Sequence, residues 1–121
     1  MNKLLLGFIG ALFLVLSSCT TAKPVSSIPK YNIKEIVKSE DVVLLDVRIP
    51  EEYAEATANN AINIPLDSLQ NNIESLKGKK VVVFCNRGME ADKAVELLSK
   101  NGIEVYDGTT WKNVKAIQQE K

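Results

Sequence analysis

Two short runs of almost uninterrupted apolar residues constrain the fold of this chain most strongly. Val42 to Val47 and Val81 to Cys85 are rich in β-branched side chains and are bounded by polar or turn-forming residues. A strand that is apolar at nearly every position is typical of a parallel sheet covered by helices on both faces. The two runs therefore predict the central strands of an α/β domain.

Between and after these runs, apolar residues recur three or four positions apart, which predicts helices. The helical stretches are residues 33–37, 66–76, 91–98 and 111–119, and two shorter alternating strands lie at 62–64 and 103–106. The third helix is followed by Asn101-Gly102, a typical helix stop. This alternation predicts a doubly covered α/β domain, whose ligands bind beyond the carboxyl ends of the strands, where Asp46 and Cys85 lie.

The chain length of 121 residues allows one domain, which we place at residues 30–121. A domain of this size buries enough surface to fold without disulfides or metal. Lysine plus arginine balances aspartate plus glutamate at 15 each, so net charge does not favour a nucleic-acid partner. We expect a monomer that binds no nucleic acid.

Residues 1–18 are typical of a signal peptide. Lys3 precedes an uncharged apolar run from Leu4 to Leu16, which is shorter than the roughly 20 apolar residues that span a bilayer. We therefore interpret residues 1–18 as an export signal that is removed from the mature protein.

The end of this signal resembles a bacterial lipobox. Residues 16–19 read LSSC, and the resemblance implies that Cys19 is lipidated and becomes the mature N-terminus, anchored firmly without a spanning helix. Residues 19–29 would form a lipidated N-terminus and a flexible tether, because the stretch is small, polar and proline-containing. The domain would then lie in the periplasm or on the outer cell surface. The alternative is an ordinary signal peptide cleaved nearby.

Cys85 is the candidate nucleophile. With Cys19 lipidated, it is the only thiol of the mature chain and cannot close an internal disulfide. Residues 86–90 join a strand to a helix, and Gly88 can adopt backbone angles that other residues avoid. Successive N–H groups in such a loop, with the helix N-terminus, favour a thiolate. The alternative is a buried cysteine that merely ends a core strand.

The absence of histidine narrows the chemistry further. It excludes the Ser-His-Asp and Cys-His nucleophile arrangements and the common zinc sites that contain histidine. Any nucleophile must be activated by other means, and we expect no metal site.

Six segments occur in an order and at intervals that resemble the rhodanese family, and within it the exported single-domain members. The segments are Asp46-Val47-Arg48, Pro50 to Tyr53, Ala61 to Leu66, Phe84 to Gly88, Ala94 to Gly102, and Gly108 with Trp111. The resemblance implies a three-layer α/β domain with a five-stranded parallel sheet flanked by helices. It also implies a sulfurtransferase that uses no cofactor.

By this resemblance, Cys85 takes sulfane sulfur from a donor such as thiosulfate or a persulfide and holds it as a persulfide. An acceptor thiol, either a small molecule or a small redox protein, then removes it, and loop N–H groups stabilise the charged terminal sulfur. The loop that binds the sulfur donor comprises Asn86, Arg87, Gly88, Met89, Glu90 and Ala91.

Asp46 and Arg48 are interpreted as supporting residues. Asp46 ends a buried strand beside the loop and is expected to accept hydrogen bonds from it, and Arg48 is expected to pair with a carboxylate on a neighbouring turn. A structural ion pair without a catalytic part is the alternative. Tyr53 and Trp111 are interpreted as core aromatics.

Two departures from the family pattern affect the expected substrates. The family commonly has a basic or hydroxyl residue late in the loop, whereas this chain has Met89, Glu90 and Ala91. A carboxylate near the mouth of the site would repel thiosulfate and disfavour the thiolate. Residues 54–60 replace a Gly-His-Ile-type stretch, so the loop beside the site is expected to be reshaped.

Three other functions compete with sulfur transfer. A cysteine phosphatase or arsenate reductase needs an arginine six residues after the cysteine, where this chain has Ala91. A dithiol oxidoreductase needs a second cysteine. The third alternative is a membrane-tethered module that keeps the rhodanese fold for binding or persulfide relay with little turnover.

Overall fold

The computed structural model describes residues 30–121. The predicted signal peptide, Cys19 and the tether lie outside the described residues. The helices are α1 (Ile33–Val37), α2 (Pro50–Glu55), α3 (Leu66–Leu69), α4 (Ile73–Leu76), α5 (Met89–Lys100) and α6 (Trp111–Gln119), with a 3₁₀ turn at Gln70–Asn72 between α3 and α4. The strands are β1 (Val42–Asp46), β2 (Ile62–Asn63), β3 (Lys80–Cys85) and β4 (Glu104–Thr110).

All four strands run parallel, in the order β2-β1-β3-β4. The two predicted apolar runs form the central pair, β1 and β3. In the register of the sheet, Leu45 pairs with Ile62 on one side and with Val83 on the other. The predicted α/β class is therefore confirmed, with helices on both faces of a parallel sheet.

The strand number inferred from the resemblance was wrong for the described residues, since the sheet has four strands and not five. In the described residues, the segment ahead of β1 is the helix α1 and not a strand. The side chain of Asn32 caps this helix by accepting a hydrogen bond from the N–H of Lys34. The four strands present are those that the apolar patterns predicted.

Side chains of β3 alternate between two cores, one on each face of the sheet. One core faces α3, α4 and α5, and its fully buried members from β3 are Val81, Val83 and Cys85. The other faces α1 and α6 and takes Val82 and Phe84. Cys85 thus points towards α5, the helix that follows it in the chain.

The helix α2 was not predicted from apolar spacing, because none of its residues is buried. Its signals are local. Pro50 occupies the first helical turn, where its fixed φ suits the helix and its missing N–H costs nothing. Glu51 and Glu52 follow in the first turn, where the helix dipole favours carboxylates. Within residues 30–121, no helix is both long and apolar enough to cross a membrane.

Candidate active site

The carboxyl ends of β1 and β3 meet at one edge of the sheet and bring Asp46 and Cys85 together, as the sequence predicted. The two strands pair in register as far as Asp46 and Phe84, and the N–H of Val47 donates to the carbonyl of Phe84. Cys85 is the last residue of β3 and is 2% exposed. The site therefore lies where open α/β sheets bind ligands.

Two backbone N–H groups point at the sulfur of Cys85. The N–H of Gly88 lies 3.0 Å from Sγ and that of Ala91 lies 3.4 Å away. Gly88 has a φ of 90°, a left-handed conformation that turns the chain back over the cysteine at little cost for glycine. Ala91 belongs to the first turn of α5, whose N–H groups have no partner within the helix.

These donors form the anion nest that the sequence predicted. Hydrogen bonds from N–H groups stabilise a thiolate, and the positive end of the α5 dipole adds to the effect. The position that a phosphatase would fill with an arginine side chain provides instead only the backbone N–H of Ala91. The geometry suits a charged sulfur better than a phosphoryl group held by a guanidinium fork.

A third contact to the sulfur comes from β4 and was not predicted. The carbonyl oxygen of Thr109 lies 3.6 Å from the Sγ atom of Cys85, where it can accept the thiol proton. Thr109 has a φ of 65°, which is strained for a β-branched residue, and its N–H donates to Oδ1 of Asp107 over 2.7 Å. Burial raises the pKa of Asp107, and the neighbouring Asp92 carboxylate raises it further.

A bulge in β4 places Thr109 beside the cysteine. The register shifts so that Val83 pairs with Asp107 but Phe84 pairs with Thr109, which leaves Gly108 as the extra residue. A Cβ atom at Gly108 would lie 2.8 Å from a Val82 methyl. Only glycine fits there; Gly108 contributed to the family resemblance, but neither the bulge nor the position of Thr109 was predicted from the sequence.

Arg48 links β1 to the cysteine loop. Its guanidinium donates to both carboxylate oxygens of Asp46, the closest contact being 2.7 Å from Nη2. Nη2 also donates to the carbonyl of Ala56, and Nη1 donates to Oδ1 of Asn86 over 3.0 Å. The Asp46 side chain is fully buried and Arg48 is 4% exposed.

The expected roles of these two residues therefore need correction. Asp46 does not accept hydrogen bonds from the cysteine loop, because its oxygens are occupied by Arg48 and by the hydroxyl of Thr57. Arg48 pairs with the carboxylate of its own strand end, not with one on a neighbouring turn. Arg48, and not Asp46, contacts the loop, through Asn86.

Cys85 opens into a cavity of about 420 Å³. Its lining residues are Glu52, Cys85, Asn86, Arg87, Met89, Glu90 and Lys93. Glu90 lies at this cavity, as the sequence predicted, and Met89 is 68% exposed at its rim. Ala91 contributes its backbone but is itself buried.

Sequence reasoning missed two charged residues of this cavity. Lys93 enters from the next turn of α5, three residues after Glu90, and Glu52 enters from α2. The cavity thus holds two cations, Arg87 and Lys93, and two carboxylates. The repulsion that Glu90 exerts on an anionic donor is therefore partly offset by Lys93.

A second cavity of about 440 Å³ adjoins the first, and the two share Glu52 and Asn86. Its lining residues are Arg48, Glu52, Glu55, Ala56, Asn86, Trp111 and Lys112. The stretch 54–60 forms one of its walls through Glu55 and Ala56. Trp111 packs against the core, as predicted, but it also lines this cavity.

Across residues 30–121, no group of three or more histidine, cysteine, aspartate or glutamate side chains is arranged to hold a metal ion. What the site offers is a buried sulfur with two N–H donors, an open cavity of mixed charge and a braced loop. Such a site suits a nucleophilic thiolate that carries a negatively charged group between two reactants.

Comparison with known proteins agrees with this geometry. A family model described as "Rhodanese-like domain" matches residues 30–114. The chain is 34% identical over 84 residues to thiosulfate sulfurtransferase GlpE of Coxiella burnetii, covering 64% of this chain and 78% of that protein. It is 39% identical over 61 residues to thiosulfate sulfurtransferase PspE of Escherichia coli, covering 48% of this chain and 59% of that protein.

Other similarities differ in extent. The chain is 34% identical to a tRNA uridine(34) hydroxylase of Acinetobacter baylyi but spans 26% of that protein's length. Among solved structures, a rhodanese with anions from E. coli matches with a TM-score of 0.55 and 33% identity, covering 60% of this chain and 89% of that one. A rhodanese-like domain protein from Staphylococcus aureus matches with a TM-score of 0.59 and 30% identity, covering 69% of this chain and 82% of that one.

Proposed function

Because this chain belongs to the rhodanese-like family, we propose that it is a sulfurtransferase in which Cys85 carries sulfane sulfur from thiosulfate or a persulfide donor to a thiol acceptor. The observation that carries the proposal is the pair of N–H donors, from Gly88 and Ala91, 3.0 and 3.4 Å from Sγ. Relatives named thiosulfate sulfurtransferase support it.

In the first step, the Cys85 thiolate attacks the outer sulfur of thiosulfate. A bond forms between Sγ and that sulfur, and the sulfur–sulfur bond of thiosulfate breaks, with its electron pair leaving on sulfite. The positive side chains of Arg87 and Lys93 favour entry of the dianion. The loop N–H groups then stabilise the terminal sulfur of the persulfide.

In the second step, an acceptor thiolate attacks the terminal sulfur. The new bond joins the acceptor sulfur to the terminal sulfur of the persulfide. The bond between that terminal sulfur and Sγ breaks, and its electron pair returns to Sγ of Cys85. The exchange needs no external oxidant or reductant. The alternative of a binding or relay module with little turnover has less support, since Lys93 supplies a cation that loop positions 89–91 lack.

Mass spectrometry of the intact purified chain tests the proposal. After incubation with thiosulfate or polysulfide, we expect a mass increase of one sulfur atom, which cyanide removes as thiocyanate. Absence of this adduct with both donors would contradict the persulfide mechanism.

We expect Glu90→Gln to raise kcat/KM for thiosulfate about two- to fivefold, the range that one exposed charge usually contributes. Glu90 lies in the cavity of Cys85, where its carboxylate opposes both the dianion and the thiolate. Glu90→Arg should raise kcat/KM more. Sulfite release at varied thiosulfate concentration measures the effect.

Glu96→Gln is the matched control for this prediction. Glu96 lies on the same helix but pairs with Lys100 on the solvent side, and it should leave thiosulfate kinetics unchanged. If Glu90→Gln behaves like Glu96→Gln, the Glu90 carboxylate does not act on the donor.

We also propose that Cys19 is lipidated and that the domain is exported and tethered to a bacterial membrane. Support comes from the lipobox-like LSSC at residues 16–19 after a short apolar run. Metabolic labelling with a fatty-acid analogue should mark the wild-type chain and the Cys85→Ala variant but not Cys19→Ala. Equal labelling of all three would contradict the anchor.

A further inference from the structure

The second cavity has no part in the steps described above, although it adjoins the cysteine site. We propose that this cavity binds the head of the acceptor thiol and that it selects an amino-acid thiol, which carries both a carboxylate and an ammonium group. The inference rests on the proposed sulfur transfer and names the acceptor class for it.

The cavity is lined by the guanidinium of Arg48, which has one N–H hydrogen without a hydrogen-bond partner in the described residues. A guanidinium has five N–H hydrogens. In Arg48, Nε donates to Asp46, Nη2 donates to Asp46 and Ala56, and Nη1 donates to Asn86. Within residues 30–121, one Nη1 hydrogen of Arg48 has no acceptor. Arg48 is 4% exposed and lines the cavity, so a ligand there can use this donor.

Two further donors belong to the lining of this cavity. The Oδ1 atom of Asn86 already accepts from Arg48, which leaves the side-chain nitrogen of Asn86 as a donor. Lys112, the second residue of α6, lines the same cavity. A buried guanidinium, an amide and an ammonium group together suit a carboxylate, which accepts several charge-assisted hydrogen bonds at once.

Two carboxylates also line the cavity. Glu52 and Glu55 come from α2, one turn apart, and both line the cavity. Neither forms an ion pair within the described part of the chain. They suit an ammonium group, so the cavity pairs a carboxylate site with an ammonium site, the charge pattern of a free amino acid.

The position of the cavity provides access to the persulfide. Asn86 and Glu52 line both cavities, so a ligand in the second cavity borders on the cavity of Cys85. In the proposed complex, the thiol side chain of the amino acid extends past Asn86 into the cavity of Cys85. Its thiolate then attacks the terminal sulfur, and the electron pair of the broken bond returns to Cys85.

The single tryptophan of the chain, Trp111, lines this cavity and provides a direct signal of binding. Three probes without a free thiol separate the two charges: S-methylcysteine has both, 3-(methylthio)propionate has the carboxylate, and 2-(methylthio)ethylamine has the ammonium. We expect S-methylcysteine to bind about fivefold tighter than either single-charge probe, since one exposed charge pair contributes up to about that factor.

Lys112→Ala identifies the carboxylate site. We expect the variant to weaken S-methylcysteine and 3-(methylthio)propionate about fivefold and to leave the amine probe within twofold, with titration midpoints compared instead of amplitudes. Lys115→Ala is the matched control, because Lys115 lies 6.0 Å from the Trp111 ring on the same helix but does not line the cavity.

Equal affinity for the three probes, or equal effects of Lys112→Ala on all of them, would overturn the proposal. If the carboxylate probe binds as tightly as S-methylcysteine, the cavity is a simple anion site and the amino-acid specificity is wrong. Since no probe carries a thiol, these results are independent of Cys85. Failure of the sulfur adduct would instead overturn the proposed function.

Discussion

Serine in place of Cys85 is expected to lower sulfite release from thiosulfate at least about a thousandfold, as removal of a covalent nucleophile usually does. The serine hydroxyl fits the space and can accept hydrogen bonds from the same N–H groups, those of Gly88 and Ala91. Its oxygen, however, remains protonated at neutral pH and forms no stable bond to sulfane sulfur. The one-sulfur mass adduct should disappear together with turnover.

The second cysteine of the chain provides the control for this variant. Cys19→Ser should retain both the adduct and the turnover, because Cys19 has no part in the proposed exchange. Thermal unfolding should show that the Cys85→Ser variant is folded. If Cys85→Ser still gains a cyanide-labile sulfur, Cys85 is not the carrier and the mechanism fails.

The sequence predicted the fold well wherever burial alone determines local structure. The apolar runs around Leu44 and Val82 are buried on both faces, and a strand in that environment has little choice of side-chain type. The same holds for α5, where Ala91, Ala94 and Leu98 form the buried stripe. The fifth strand, by contrast, came from resemblance and not from any residue pattern within 30–121.

The site was predictable only in part, because its parts come from distant positions. Cys85 and its loop are contiguous, so the nest followed from local sequence. The bulge in β4 brings Thr109 to the sulfur. Lys93 lies at the cavity because it follows Glu90 by about one turn on the same face of α5. Neither position carries a local signal of function.

The partners of Arg48 illustrate the same limit. Its closeness in sequence to Asp46 made a pair conceivable, but the contacts with Ala56 and Asn86 depend on how α2 and the cysteine loop meet the end of β1. One side chain thereby connects three segments and borders the second cavity. A large consequence for stability follows from this position.

Asp46→Asn is expected to lower the free energy of unfolding by about 3–5 kcal/mol, the usual cost of breaking a buried ion pair from one side. The Arg48 guanidinium would stay buried at 4% exposure without its carboxylate, and the Thr57 hydroxyl would lose a charged acceptor. Urea unfolding followed by circular dichroism measures the loss. By contrast, Glu96→Gln breaks the exposed Lys100 pair and should cost under about 1 kcal/mol.

A double variant separates the ion pair from simple loss of packing. Asp46→Leu with Arg48→Met removes both charges, and replacing a buried pair by apolar side chains is often close to neutral, so the double change should cost less than the sum of the single ones. It also removes the contact to Asn86, so sulfur transfer should fall even where stability recovers. Additive costs would mean that Asp46 and Arg48 act independently. Recovery of both stability and turnover would instead mean that Asp46 and Arg48 have only a structural role and do not influence the cysteine loop.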